Sequence, residues 1–391
     1  MKFELNIDYP LEKMEASRRR LEARDRFSYL DRVPVGFCLV PRYFTPIFGI
    51  PYSAIFENVR EHYYWQLQFL KYRIEHIPED IVCTDTTVSI APYFDNVLDS
   101  ASFGAEIVWP QNETLHSLPV ISNVEQMERY PMPVPMTGLW KQTVDWTMAM
   151  REFADETRLT FNGVEGRVAI AAPTISGLSP HMIAIDLVGV DFYAWQVAYP
   201  DACHRFLDRI TNALIDAQRA FLALENRPWQ GISAVAEDTA TAMSPAMYRE
   251  FCVPYADRLF ATSARRGIHM CGPSTHLHRA LIDDMRMTHF ELFGYVVDPA
   301  VAARNLGGKA ALWGNISPML MRNGTKAQVK QATLAALEAM APCGGLLLGD
   351  GANVCPGTPL ENLAALTEAA EEYGLPRRIH PPDAGQQRST T

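Results

Sequence analysis

The sharpest chemical feature of the sequence is the short pattern His269-Met270-Cys271-Gly272. In an extended chain, residues two positions apart point to the same face, so this imidazole and this thiol would meet at one point. Histidine nitrogen and cysteine sulfur are ligands of tetrahedral zinc, and a catalytic zinc site keeps one position open. The pair therefore predicts a metal site, with zinc as the ion. Packing of both side chains in the core is the alternative that the spacing alone leaves open.

Further ligands must come from other parts of the chain. Cys355 follows roughly 85 residues after the pair and is a candidate third ligand, and Glu237 is a candidate fourth. The chain has 7 cysteines, an odd number spread over its whole length, which argues against a disulfide framework. Reduced thiols predict a cytoplasmic location, and five of the cysteines stand in apolar settings typical of core packing.

Strand-like apolar runs alternate with helical patterns along most of the 391 residues. The predicted strands start near residues 34, 81, 167, 232, 267, 290, 310 and 344. This alternation predicts an α/β fold, a (β/α)8 TIM barrel. An N-terminal helical extension covers 11–32, and a long insertion, 84–135, follows strand 2. We interpret 1–380 as a single barrel domain and predict that 381–391 form a disordered tail.

The barrel fold implies a place for the active site, because catalytic groups lie at the C-terminal ends of barrel strands. Polar side chains gather at these predicted ends. They are Arg42-Tyr43, Asp85, Thr174-Ser176, Glu237-Asp238, His269-Cys271, Glu291, Asn315 and Asp350-Gly351-Ala352-Asn353. Aromatic residues near the first predicted strands could wall an aromatic substrate, although ordinary core packing is the alternative. These are Tyr43, Tyr63, Tyr64 and Trp65.

Charge and hydropathy exclude two classes of partner. The formal net charge is -10 without a basic stripe, which argues against nucleic-acid binding. No apolar run reaches the ~18 residues that a membrane span requires. The first residues, Met-Lys-Phe-Glu-Leu-Asn-Ile-Asp, carry charges where a signal peptide would be apolar. We therefore expect neither a nucleic-acid nor a membrane partner.

Several motifs together resemble the uroporphyrinogen decarboxylase superfamily, and more narrowly its cobalamin-dependent methyltransferase branch. The resemblance extends over about 165–374 and is carried by His269-x-Cys271-Gly272, Trp313-Gly314-Asn315-Ile316-Ser317-Pro318, Gly351-Ala352-Asn353-Val354-Cys355-Pro356-Gly357-Thr358-Pro359, and Glu237-Asp238 followed by Ser244-Pro245. It implies a barrel and a zinc ion held by the His-x-Cys pair plus a distal cysteine. In several relatives that cysteine falls about three residues earlier, where this chain has Ala352, so Cys355 would have to take its place.

The resemblance also implies a reaction. A methyl group would move between a small substrate, such as a methoxylated aromatic compound undergoing O-demethylation, and the cobalt of a corrinoid. The chain lacks the Asp-x-His-x-x-Gly pattern of a corrinoid-binding module, so the corrinoid belongs to a separate partner protein. Glu237, Asn315 and Asn353 would position the substrate.

Two rival functions stay open. The first is a cofactor-free decarboxylase or other lyase, although the arginine-rich N-terminal motif of the decarboxylases has no counterpart here. The second is a non-catalytic subunit that binds a corrinoid or another small molecule, which Ala352 in the distal cysteine position keeps in play.

Overall fold

The computed structural model describes residues 3–375. The predicted tail, 381–391, and the last residues of the predicted domain 1–380 lie outside this range. The strands are β1 (Glu4–Ile7), β2 (Thr87–Ile90), β3 (Glu106–Val108), β4 (His116–Leu118), β5 (Arg158–Phe161), β6 (Val164–Ile170), β7 (Ala234–Ala236), β8 (Gly267–His269), β9 (His289–Glu291), β10 (Ala311–Ile316) and β11 (Leu346–Asp350).

The α-helices surround these strands and alternate with them along the C-terminal half of the chain. They are α1 (Leu11–Asp25), α2 (Pro41–Phe48), α3 (Val59–His76), α4 (Leu98–Ser102), α5 (Val124–Arg129), α6 (Gly138–Asp155), α7 (Pro180–Val188), α8 (Asp191–Ala198), α9 (Pro200–Leu224), α10 (Pro245–Phe251), α11 (Val253–Phe260), α12 (His278–Asp283), α13 (Pro299–Leu306), α14 (Pro318–Asn323), α15 (Lys326–Met340) and α16 (Leu360–Tyr373). Within this part of the chain, no helix is both long enough and apolar enough to span a membrane.

The central element is a five-stranded parallel sheet in the order β11-β10-β9-β8-β7. Its strands are short apolar runs, and every residue of β11 is buried. Parallel bridges from Val35 to Leu348 and from Leu178 to Ala236 extend the sheet by one segment on each side. Between residues 3 and 375 the strand ladders do not close into a ring. The shared direction of the strands brings their C-terminal ends to one edge.

A second sheet, of four strands in the order β1-β5-β6-β2, was not expected from the sequence. The strand predicted near 167 exists as β6, but it pairs with β2 and β5 instead of joining the central sheet. Its antiparallel partner β5 precedes it through Asn162-Gly163, both with positive φ (46° and 84°). An Asn-Gly pair of this kind is the preferred two-residue hairpin turn. The hairpin ties β6 to its own N-terminal neighbour.

The strand predicted near residue 81 is wrong, because that segment consists of bends and β2 begins at Thr87. Hydrogen bonds of the Asp80 side chain hold the chain just before this segment of bends. The carboxylate accepts bonds from Ser17 Oγ (2.9 Å), Arg32 Nη1 (2.7 Å) and the Val35 backbone (2.8 Å), so it fixes the chain at one point. The predicted insertion, 84–135, is ordered into β2, α4, the hairpin of β3 and β4, and α5.

Candidate metal centre

His269 ends β8 and is held in one orientation by its backbone surroundings. Its Nδ1 lies 3.1 Å from the carbonyl oxygen of Glu291, the last residue of the adjacent β9. A carbonyl accepts a hydrogen bond and cannot donate one, so Nδ1 is the donor in this contact and Nε2 is the ring nitrogen left to face the donor group. Metal-binding histidines are usually oriented by a bond of this kind. Nε2 points toward Asp238, whose Oδ2 is 3.5 Å away.

Three donor atoms of different chemistry converge at this edge of the sheet. One ligand atom each from Asp238, His269 and Cys271 lies within 4.8 Å of the other two, and all three residues are half-buried. The Cys271 backbone N–H donates to Asp238 Oδ1 at 2.8 Å, which fixes the carboxylate beside the thiol. Nitrogen, sulfur and oxygen donors in one place match the ligands of a zinc site with an open position. The residues therefore fit the ion that the sequence predicts.

The electrostatics of Cys271 agree with a cation site. Burial, and next the neighbouring carboxylate of Asp238, raise the pKa of this thiol to about 12. A bound divalent cation favours the thiolate and reverses that balance, because coordination deprotonates a thiol outright. Without a cation the raised pKa keeps Cys271 a neutral thiol beside the Asp238 carboxylate.

Glu237 does not join this group of donor atoms, although it directly precedes Asp238. Its side chain is fully buried, and neither carboxylate oxygen meets a hydrogen-bond partner of good geometry. Burial raises its pKa to about 8, and the nearby Cys252 thiol and Ser179 hydroxyl offset this only in part. The Tyr248 hydroxyl, also buried and unpartnered, lies in the same surroundings.

Cys355 lies in the loop after β11, in a turn where its carbonyl accepts bonds from the backbone N–H and the Oγ1 of Thr358. Its thiol is half-buried and free. Among residues 3–375, no cluster of converging donor atoms includes it. Its role as third ligand stays a prediction.

The two asparagines at the strand ends have different surroundings. Asn315 Nδ2 donates to the carbonyl oxygens of Gly294 (3.0 Å) and Val297 (2.7 Å), so it fixes the loop after β9. Its Oδ1 is buried and lacks a partner. Asn353 Oδ1 accepts from the Cys38 thiol at 2.9 Å. Within residues 3–375, neither amide forms a hydrogen bond with Asp238, His269 or Cys271. The catalytic roles of both asparagines stay predictions.

The four predicted substrate-wall aromatics have different surroundings. Tyr43 is buried, with its hydroxyl 3.3 Å from the Thr358 carbonyl oxygen. Tyr63 belongs to a separate core cluster. Tyr64 is 39% exposed, and its ring lies 5.0 Å from that of the half-buried Trp65. Their role in substrate binding stays a prediction.

Residues 89–373 match the family model described as uroporphyrinogen decarboxylase (URO-D). That match covers well over half of the chain, so the chain belongs to the uroporphyrinogen decarboxylase family, as its motifs predicted.

Curated relatives include methyltransferases and decarboxylases. The methylcobamide:CoM methyltransferase MtaA of Methanosarcina barkeri is 30% identical over 220 residues, 54% of this chain and 61% of that protein. The methylated-thiol–coenzyme M methyltransferase of Methanosarcina mazei is 26% identical over 295 residues, 73% of each chain. A uroporphyrinogen decarboxylase of Coxiella burnetii is 22% identical over 181 residues, 45% of this chain and 49% of that protein.

A solved structure, the methyltransferase from Methanosarcina mazei, has the same fold. It superposes with a TM-score of 0.64 at 20% identity, and the match covers 92% of this chain and 99% of that one. The likeness therefore shows the fold over most of the chain.

Proposed function

We propose that this chain is a zinc-dependent methyltransferase that moves a methyl group between a small substrate and the cobalt of a separate corrinoid protein. The observation that carries the proposal is the group of Asp238, His269 and Cys271 at the C-terminal edge of the parallel sheet. Relatives whose names state methyl transfer from a methylcobamide or from a methylated thiol support the reaction class. A TIM-barrel fold with this edge at its mouth is part of the proposal.

His269 Nε2, the Cys271 thiolate and an Asp238 oxygen would hold the zinc ion. When bound, zinc supplies a Lewis acid that stabilises negative charge on an ether oxygen or on a thiolate. The chain's own contribution is orientation. The Glu291 carbonyl fixes the imidazole, and the Cys271 N–H fixes the carboxylate. Cys355 stays our candidate for a further thiolate.

The proposed partner and setting follow from the same features. A second protein would present the corrinoid at the C-terminal edge of the sheet, where the donor group lies. All seven cysteines are free thiols, which supports the proposed cytoplasmic location. For the substrate we favour a methoxylated aromatic compound, so that the reaction is an O-demethylation.

Methyl transfer to free reduced cobalamin tests the proposal. We would incubate the zinc-loaded chain with cob(I)alamin and 2-methoxyphenol and follow the appearance of methylcobalamin by absorbance. We expect turnover by the wild type and its loss in His269→Ala and Cys271→Ala. Decarboxylation or lyase chemistry in a chain that binds no zinc would overturn the proposal, since the rival lyase function does not require a metal.

A matched pair of variants separates a failed site from a failed fold. Cys252→Ala removes a buried thiol that lies outside the donor group, and it should keep its zinc and its activity. Equal loss of activity in Cys252→Ala and Cys271→Ala would show that the variants act through folding. The rival non-catalytic subunit predicts that no variant or condition yields methylcobalamin.

A further inference from the structure

The loop after β9 contains a tight turn at the C-terminal edge of the central sheet. Gly294 to Val297 form this turn, and the Val297 N–H donates to the Gly294 carbonyl oxygen at 3.1 Å, the bond that closes a four-residue turn. Gly294 has a positive φ of 83°, which glycine adopts without strain. Its N–H donates at 3.1 Å to the carbonyl oxygen of Gly351, which directly follows β11. The turn is therefore fixed beside the strand ends.

The turn packs directly on the backbone of a proposed zinc ligand. A Cβ atom added at Gly294 would lie 2.5 Å from the Gly272 carbonyl oxygen and 3.0 Å from the Cys271 carbonyl oxygen. Only glycine allows backbones to approach this closely. The Cys271 backbone also fixes a second ligand, because its N–H donates to Asp238 Oδ1 at 2.8 Å. A shift of the Cys271 peptide would therefore move the thiol and the carboxylate together.

The third ligand depends on the same loop. His269 Nδ1 lies 3.1 Å from the carbonyl oxygen of Glu291, the last residue of β9 and the residue from which the loop departs. The segment 291–297 thus contacts His269 and Cys271 directly and reaches Asp238 through the Cys271 N–H. Groups that orient metal ligands from outside the coordination sphere set metal affinity nearly as much as the ligands do.

Asn315 clamps this turn at both ends. Its Nδ2 donates to the carbonyl oxygens of Gly294 at 3.0 Å and of Val297 at 2.7 Å. Because both partners are carbonyl oxygens, the amide nitrogen must be the atom that faces them, and both of its N–H donors are used. The side chain is only 5% exposed, and its Oδ1 is buried. The amide therefore has no free donor to offer a substrate.

We propose that Asn315 is a positioning residue of the metal centre, which acts through the turn 294–297. The inference rests on the proposed function and deepens it, because it names a residue that sets zinc affinity without touching the ion or the substrate. This role differs from the substrate-positioning role that the sequence predicted. Loss of the amide would remove the donor shared by the Gly294 and Val297 carbonyls and free the turn to move away from Cys271. The ligand geometry would then change, and zinc binding would weaken.

Asn362 provides a matched control, because its amide has the same kind of surroundings outside the metal centre. Its Nδ2 donates to the carbonyl oxygens of Met321 at 2.8 Å and of Gly324 at 2.9 Å. The side chain is 1% exposed, and its Oδ1, like that of Asn315, is buried without a partner. Leucine at either position has a similar size and removes two hydrogen bonds from a buried loop. Only Asn315→Leu should affect the metal site.

Zinc affinity of the full chain tests the proposal without any methyl transfer. We would measure zinc dissociation constants of the wild type, Asn315→Leu and Asn362→Leu by competition with a chromophoric chelator. We would also record the thiolate-to-metal charge-transfer absorption of each protein loaded with Co²⁺. Asn315→Leu should bind zinc at least about tenfold more weakly, as for a lost partner of a metal ligand, and its Co²⁺ spectrum should change. Asn362→Leu should match the wild type in both measurements.

A second pair of variants keeps the test decisive if Asn315→Leu does not fold. Gly294→Ala places a methyl group against the Gly272 and Cys271 carbonyl oxygens and so pushes the turn away from them. Gly308→Ala is its control, since Gly308 also has a positive φ, 70°, but an added Cβ there meets open space. Both alanines carry the same kind of backbone strain. Only Gly294→Ala should weaken zinc binding and change the Co²⁺ spectrum.

The outcomes separate this inference from the proposed function. A folded Asn315→Leu with wild-type zinc affinity and a wild-type Co²⁺ spectrum overturns the inference. Equal weakening in Asn315→Leu and Asn362→Leu, or in Gly294→Ala and Gly308→Ala, also overturns it, because the variants then act through stability alone. A wild type that binds no zinc overturns the proposed function and this inference with it. Zinc binding that depends on Asn315 in a chain that never forms methylcobalamin supports the positioning role and overturns the proposed methyl transfer.

Discussion

His62 gives a quantitative prediction for how pH affects this fold. The side chain is fully buried in α3. Its Nδ1 lies 2.7 Å from the Ile55 carbonyl oxygen, and its Nε2 accepts from the Tyr93 backbone N–H at 3.0 Å. These two partners require the neutral ring with its proton on Nδ1. Protonation of Nε2 would break the bond to the Tyr93 backbone.

The magnitude follows from the pKa. Burial lowers the pKa of His62 from 6.5 to about 4. Between those values the unfolded chain binds the proton and the folded chain does not, so folding stability rises with pH across this window. The contribution of the neutral His62 ring to folding stability is fully present above pH 6.5 and is lost as the pH falls toward 4. At about 1.4 kcal/mol per pKa unit, the loss is about 3 kcal/mol.

The assay is urea unfolding of wild type and His62→Gln between pH 4 and pH 7, followed by tryptophan fluorescence. At pH 7 the variant should be the less stable, since a buried backbone partner is left unpaired. By pH 4 the difference in unfolding free energy should shrink by about 3 kcal/mol. The exposed His116→Gln should parallel the wild type throughout. If the difference in unfolding free energy between the wild type and His62→Gln is the same at pH 4 and pH 7, the reasoning is refuted.

Two buried carboxyl groups give further predictions, one on the loss of a hydrogen-bond acceptor and one on the pH dependence of stability. Asp99→Ala should lower the unfolding free energy by about 3 kcal/mol or more, because it leaves the Trp140 Nε1–H (2.9 Å) and the Ser176 N–H (2.9 Å) without their acceptor. Chemical denaturation would measure this loss, and Asp99→Asn should recover part of it. Burial raises the pKa of Glu237 from 4.5 to about 8. Because the folded chain holds this proton more tightly than the unfolded chain, the wild type should lose several kcal/mol of stability as pH rises from 4.5 to 8. Glu237→Gln should abolish this decline when unfolding is measured across that pH range, and an unchanged decline would contradict the account.

The sequence was sufficient to predict that the side chains of His269 and Cys271 lie close together. His269 and Cys271 are two residues apart at a strand end, and the structure brings them together as period-two geometry requires. The choice of Glu237 over Asp238 did not anticipate the pairing register. Strand β7 ends at Ala236, which pairs with His269. Asp238 begins the short 3-10 helix that follows, and its carboxylate lies at the donor group, whereas Glu237 is buried.

The second sheet shows another limit of periodicity. The apolar run near 167 was correctly predicted as a strand, but an apolar run does not say which strand it will pair with. The Asn162-Gly163 turn was the local signal for a hairpin. Near residue 81 a strand was predicted and is absent. The Asp80 bonds to Ser17 and Arg32 fix the chain there, and they depend on residues far away in the sequence.

The metal content of purified variants tests the central claim most directly. Elemental analysis of the wild type beside His269→Ala, Cys271→Ala, Asp238→Ala and Cys355→Ala would count zinc per chain. We predict about one zinc in the wild type, loss in the histidine and Cys271 variants, and at least tenfold weaker binding in Asp238→Ala, as for a removed ligand. Loss in Cys355→Ala as well would add that thiolate to the site. Wild-type protein without zinc, or zinc retained when His269 and Cys271 are replaced, would contradict the account.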